Sequence, residues 1–137
     1  MSNLTRTRQT SRLVSEGNIY LDNSDNIGIG TTVANTKLEI AGVVTAVDYN
    51  STSDVRLKEN IETIREALDI VSQLRGVTFN WKKDSSPSMG IIAQELEEVL
   101  PALVHGGETK VVNYNGIIGV LIEAIKELKS EIDELKS

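Results

Sequence analysis

The C-terminal stretch constrains this chain more than any other. From Asn115 to Ser137, Ile118, Leu121, Ile125, Leu128, Ile132 and Leu135 recur at steps of three and four. Such steps place apolar residues along one side of an α-helix, in the heptad seam of a coiled coil. Ile holds the first core position and Leu the second, a combination that leans towards two strands. Ile122 widens the stripe near its start, which suits packing on more than one partner, so these residues leave the strand number open. Glu131 and Lys136 flank the seam where charges pair between helices. The even spacing and charged outer face predict self-association rather than packing within one domain alone.

Composition supports the need for partners. Of 137 residues, 39% are hydrophobic but only 4% aromatic, so a large aromatic core is excluded. A chain of this length holds one ordinary domain, or a small domain with an appendage. Burying enough apolar surface then calls for other chains.

Charge and residue usage exclude several functions. The formal net charge of −6 divides into −1 over residues 1–52 and −5 over residues 53–137. Neither part has the basic footprint of a nucleic-acid binder. There is no cysteine, and His105 is the single histidine. Disulfides, thiolate metal sites, a zinc site and a Ser-His-Asp triad within one chain are therefore not expected, and neither is a cofactor or metal. No run is long and apolar enough to span a membrane. The opening "MSNLTRTRQTSRLVSEG" lacks the apolar segment of a secretory signal, which makes cytosolic synthesis the expectation.

Residues 1–17 read as a poorly ordered arm or a segment ordered only by neighbours. "NIYL" and "NIGIG" are short β-type pieces separated by the turn-forming "DNSDN". "TKLEIAGVVTAV" predicts a strand with Leu38 and Ile40 on one face, a turn at Gly42 and a second β-branched run. Strands this short cannot bury a core alone, whereas three chains wrapped around each other could. After Ser53 the pattern turns helical: Asn60 is placed to cap a helix carrying Ile61, Ile64, Leu68, Val71 and Leu74, ended by Gly76. "VTFNW" (77–81) and "MGIIA" (89–93) predict a hairpin across a turn-rich link at 82–88, with Phe79 and Trp81 both facing a core, the favoured reading, or one of them at a trimer contact. "QELEEVL" predicts a short helix stopped by Pro101, with Gln94 and Glu95 at its capped start. His105, beside two glycines, reads as a loop residue. A short strand is expected around Val111 and Val112, and Asn113 and Tyr114 lead into the last helix.

Four blocks, "SDVRLKENI", "ALDIVSQLRGVTFNW", "GIIAQELEEVLPALV" and "VVNYNGIIGVLIEAIKELK", stand in an order that resembles a known family. This is the C-terminal intramolecular chaperone domain of phage tail fibres and tailspikes, the self-cleaving peptidase domain of phage endosialidases. Ile91 stands where that family more often has an aromatic residue. The upstream "NIGIGTTVANTKLEIAG" resembles the shaft sequence that precedes such domains.

The resemblance implies a homotrimer that holds three fibre chains in register and then cuts itself off. It implies a scissile bond at Thr52–Ser53, with Ser53 as nucleophile and Lys58 as general base. A serine hydroxyl needs a base, and a lysine must be neutral to serve, so its pKa of about 10.4 has to fall. Arg56 or groups of another chain could supply the positive neighbour. Residues five apart do not share a helix face, so Ser53 is expected on an extended or turn segment. On spacing alone, Ser53-Asp54 reads as a helix cap and Lys58 as a solvated charge, and only the four-block resemblance raises the pair above that reading.

The expected fold is therefore α+β: a β-rich fibre end over 1–52, then a chaperone domain over 53–137 with its coiled coil at 115–137. The expected function is a trimerisation chaperone that registers the upstream fibre chain of the same protein and releases itself, without nucleic-acid or membrane partners. The expected location is the virion, after synthesis in the bacterial host cytoplasm. A non-cleaving structural fibre tip and an acidic helical adaptor are the alternatives.

Overall fold

The computed structural model describes residues 18–137, and the arm expected at 1–17 lies outside them. The chain divides into two compact units, one ending at Asp54 and the other starting at Val55.

In the first unit, β1 (Ile19–Leu21) runs antiparallel to β2 (Ile27–Ile29), which pairs in parallel with β3 (Leu38–Ile40). The link between β1 and β2 is a fixed turn because Asp22 organises it. Its Oδ1 accepts the Ser24 and Asn26 N–H groups at 2.8 and 2.9 Å. The Asn26 amide donates to Asp22 Oδ2 and to the Ala34 carbonyl, tying the turn to the segment that crosses over Gly28. A Cβ at Gly28 would lie 2.3 Å from the Thr31 carbonyl oxygen, so only glycine fits beneath this crossing. The three expected β pieces are thus present. The second β-branched run is not a strand: Val43, Val44 and Val47 are exposed and irregular, and among the described residues no strand pairs with them.

The second unit is mixed α+β. A 3₁₀ turn (Val55–Leu57) is followed by α1 (Ala67–Gln73), β4 (Val77–Asn80), β5 (Pro87–Gly90) and α2 (Ala93–Val99). A second 3₁₀ turn (Pro101–Leu103), β6 (Val104–His105), β7 (Val111–Val112) and the long α3 (Tyr114–Lys136) complete it. β4 pairs with β5 and β6 with β7, both antiparallel.

Four local expectations are corrected. First, the helix expected from Asn60 begins only at Ala67. Asn60 and Glu66 have φ of 52° and 54°, left-handed values that a right-handed helix cannot contain, and Ile61 is exposed. The helix also ends at Gln73, before Gly76, because Leu74 is extended. Second, the returning strand spans 87–90 rather than 89–93, since the Ile91 N–H turns to the Tyr114 hydroxyl at 3.3 Å. Third, Gln94 and Glu95 make no cap: α2 has no side-chain cap, and Glu95 instead pairs with Arg75. Fourth, His105 belongs to β6, opposite Val111, rather than to a loop. Pro101 does stop α2 and opens the 3₁₀ turn.

The core lies between α1 and α3. Ala67, Val120 and Ala124 are buried, with Ile64, Leu68, Ile70, Val71 and Leu100 packed around them. Two alanines at the contact let the helices approach closely. Leu96 of α2 is the largest fully buried side chain. Phe79 is half-buried, but Trp81, expected in the core, is 53% exposed and meets Phe79 edge to face at 5.2 Å.

Candidate functional site

The "SD…LK" stretch adopts one turn and no longer helix. Thr52 and Ser53 are exposed and carry no regular structure. Ser53 thus lies outside any helix, as expected, but the helix it was expected to lead into does not begin until Ala67. Arg56 sits inside the 3₁₀ turn, and Lys58 follows it, its N–H donating to the Val55 carbonyl at 3.1 Å. Ser53 falls in the first unit and Lys58 in the second. Both are exposed in the single chain.

The elements that follow fix where this stretch leads. Ile64 packs on the α1–α3 core, 3.5 Å from where a Cβ on Gly119 would stand. Three residues later the chain enters α1, a helix of 7 residues whose N-cap, Glu66, offers no side-chain hydrogen bond. So short a helix is marginal alone, and its first N–H groups need acceptors. Glu127 of α3 supplies them: Oε1 accepts from Ala67 at 3.0 Å and Oε2 from Leu68 at 2.8 Å. The N–H groups of Leu68, then Ala67 and Glu66, hold the Glu127 carboxyl below its ordinary pKa of 4.5, because they bond to its ionised form. Sequence reasoning missed this role. The only signal was that Glu127 continues the line of Val120 and Ala124, on a side of α3 away from the seam.

α3 therefore has two working faces. Val120, Ala124 and Glu127 face α1 within the same chain. Ile118, Leu121, Ile125, Leu128, Ile132 and Leu135 lie outside that contact and are exposed, Ile125 by 66% and Leu135 by 88%. Ile122 is exposed beside them. This row of large aliphatic side chains is turned to water and takes no part in the α1–α3 core. Near its N-terminus, α3 is seated by Leu103, which occupies the space a Cβ on Gly116 would take, and by the Tyr114 hydroxyl against Gly90 and Ile91.

Among the described residues, no cluster of three acidic, histidine or cysteine side chains is arranged to hold a metal, and no helix is long and apolar enough to cross a membrane.

Comparison with known proteins now bears on these residues. Residues 53–105 match the family model Peptidase_S74, described as chaperone of endosialidase. The resemblance drawn from the sequence is confirmed for this segment, which contains the first three blocks; the fourth lies beyond it. The long tail fibre protein Gp37 of Salmonella phage S16 is 38% identical over 108 residues, covering 69% of this chain and 14% of that protein. Gp37 proteins of Enterobacteria phages K3 and T2 are each 35% identical over 96 residues, covering 62% of this chain and 8% and 7% of theirs. The chain thus spans only a small fraction of the tail fibre proteins it matches.

Proposed function

We propose that this chain is part of a phage tail fibre whose residues 53–137 act as a trimerisation chaperone and then release themselves by cleaving the Thr52–Ser53 bond. The observation that carries this reading is where the chaperone-of-endosialidase match begins: at Ser53, the proposed nucleophile. The exposed heptad face of α3 supports assembly with further copies through Ile118, Leu121, Ile125, Leu128, Ile132 and Leu135.

The chemistry runs in two steps. Neutral Lys58 takes the Ser53 hydroxyl proton while Oγ attacks the Thr52 carbonyl carbon. The Thr52–Ser53 C–N bond then breaks, the Ser53 nitrogen takes the proton from Lys58, and an ester joins the Thr52 acyl group to Oγ. Water adds to that ester, leaving a Thr52 carboxylate and a free Ser53 hydroxyl. Each chain reaches one bond, so turnover is single.

Lys58 is exposed in the single chain, so the burial that disfavours its ammonium form has to come from neighbouring copies. Cleavage then follows assembly. Registering strands of three chains is slow because their contacts are non-local, and a helical trimer that forms first holds them at high effective concentration. Removal of the helices afterwards traps the finished fibre kinetically.

Intact mass of the purified protein beside Ser53→Ala and Lys58→Ala tests this. Wild type split after Thr52, with both variants whole, is the expected result. An intact wild type would assign residues 53–137 to a non-cleaving trimeric tip.

A further inference from the structure

Two residues with left-handed backbone bracket the segment between Lys58 and α1. Asn60 (φ 52°) follows Lys58 by two residues, and Glu66 (φ 54°) immediately precedes α1. Asparagine tolerates this conformation because its short polar side chain bonds locally, but glutamate has no such help, so something else holds the bend at Glu66. The N–H groups of Glu66, Ala67 and Leu68 all bond to the Glu127 carboxylate, the last two at 3.0 and 2.8 Å. A left-handed residue followed by right-handed ones turns consecutive N–H groups towards one point and makes a concavity for an anion. Here the anion is a side chain of α3.

A second contact fixes the same segment further back. Ile64 lies 3.5 Å from where a Cβ on Gly119 would stand. Gly119 and Glu127 are about 12 Å apart along α3, at about 1.5 Å per residue. The chain from Ile64 to Leu68 is thus laid along α3, and the stretch that leads back to Lys58 joins it at the Gly119 end. Without the carboxylate, Glu66 is free to return to the negative φ that its side chain prefers. A swing of roughly 110° in that one angle re-aims everything before it. A lysine that has to meet one hydroxyl is sensitive to such re-aiming, because a misplacement of about 1 Å can cost about a hundredfold in rate.

We propose that Glu127 is a positioning residue for the cut at Thr52–Ser53: by holding the left-handed bend at Glu66, its carboxylate fixes the direction in which the segment bearing Lys58 leaves the α1–α3 core. The proposal rests on the self-cleavage reading of the preceding section. Glu127 acts through the backbone of Glu66 rather than on the reacting bond.

The test follows the full chain after a short pulse of cell-free synthesis. Sedimentation isolates the trimers and intact mass follows their division, so the rate is read per assembled chain. Glu127→Ala leaves every seam residue in place and is expected to cut about tenfold to a hundredfold more slowly than wild type, with Glu127→Gln, which keeps one acceptor, in between. Leu96→Ala controls for lost stability: it weakens the packing under α2 and should cut at a rate close to wild type. Residue 66 tests the bend itself. Valine keeps the N–H but resists left-handed backbone, whereas glycine accepts it. Glu66→Gly should therefore cut faster than Glu66→Val, and this comparison decides the matter if Glu127→Ala does not assemble. Equal rates for wild type and Glu127→Ala, equal rates for glycine and valine at 66, or the same slowing in Leu96→Ala overturns the positioning role and leaves self-cleavage standing. Wild-type chains that never divide overturn the self-cleavage reading, and this inference with it.

Discussion

Glu127 caps Ala67 across 60 residues of sequence, its Oε1 accepting the Ala67 N–H at 3.0 Å while Oε2 takes the N–H of Leu68. The cap makes α1 conditional on α3. Glu66 is left-handed and contributes no cap of its own, so without α3 the short helix has neither an N-terminal acceptor nor an apolar partner. The N-terminal end of α1, at Ala67 and Leu68, therefore draws its hydrogen-bond acceptors from α3.

Replacing Glu127 should loosen α1 first. Glu127→Ala removes both acceptors, and Glu127→Gln keeps one carbonyl oxygen but no charge. The urea midpoint is expected to fall for both, further for alanine. Amide hydrogen exchange at Ala67 and Leu68 should rise at least tenfold in Glu127→Ala, while Leu96 stays protected. Equal acceleration at Leu96 would mean that the cap is not local to α1.

The same contact sets a pH dependence. The Glu127 carboxyl lies below its ordinary value of 4.5 in the folded chain, so the unfolded chain binds its proton first as pH falls. Its stabilisation is complete above 4.5 and is lost as pH drops through the lower, folded value. Burial of the carboxyl partly opposes that lowering. The difference in urea midpoint between wild type and Glu127→Gln should be constant from pH 7 to 6 and shrink towards pH 3. A difference that grows towards pH 3 would contradict the sign. Asp22, Asp84 and Glu95 are also lowered, so the comparison with the variant, rather than the wild-type curve alone, isolates Glu127.

Leu96 is the largest side chain with almost no exposure, at 1%. Leu96→Ala leaves a cavity under α2 and should cost about 2–5 kcal/mol of unfolding free energy. Urea unfolding at one fixed protein concentration measures it, since assembly would otherwise shift the midpoint.

These contacts explain which parts of the fold were legible. The long helix announced itself because heptad spacing is local and repeated from Ile118 to Leu135. The first three strands were legible from β-branched and turn residues, but their mixed pairing, antiparallel then parallel, was not, because it depends on the crossing above Gly28. The start of α1 was misplaced because its cap lies in α3, beyond the reach of any local window. For Trp81 the favoured core placement failed, because alternation marks a face without saying whether the same chain covers it. Ser53 and Lys58 carry little signal as a pair of residue types, and it is the match beginning at Ser53 that singles them out.

The two faces of α3 can be separated by mutation, and with them assembly from chemistry. Ala124→Glu places a charge against Ala67 and should unfold the α1–α3 contact within each chain. Leu128→Glu places one on the exposed seam and should leave that contact intact while reducing the sedimenting species from three chains to one at micromolar concentration. If burial by neighbouring copies is what readies Lys58, the Leu128→Glu protein should also stay uncut, although Ser53, Lys58 and the bond between Thr52 and Ser53 are untouched. Intact mass after a day at 25 °C, read beside the wild type, decides the matter. A monomeric Leu128→Glu chain that still divides after Thr52 would show that the chemistry is complete within one chain, and that assembly guides the fibre without licensing the cut.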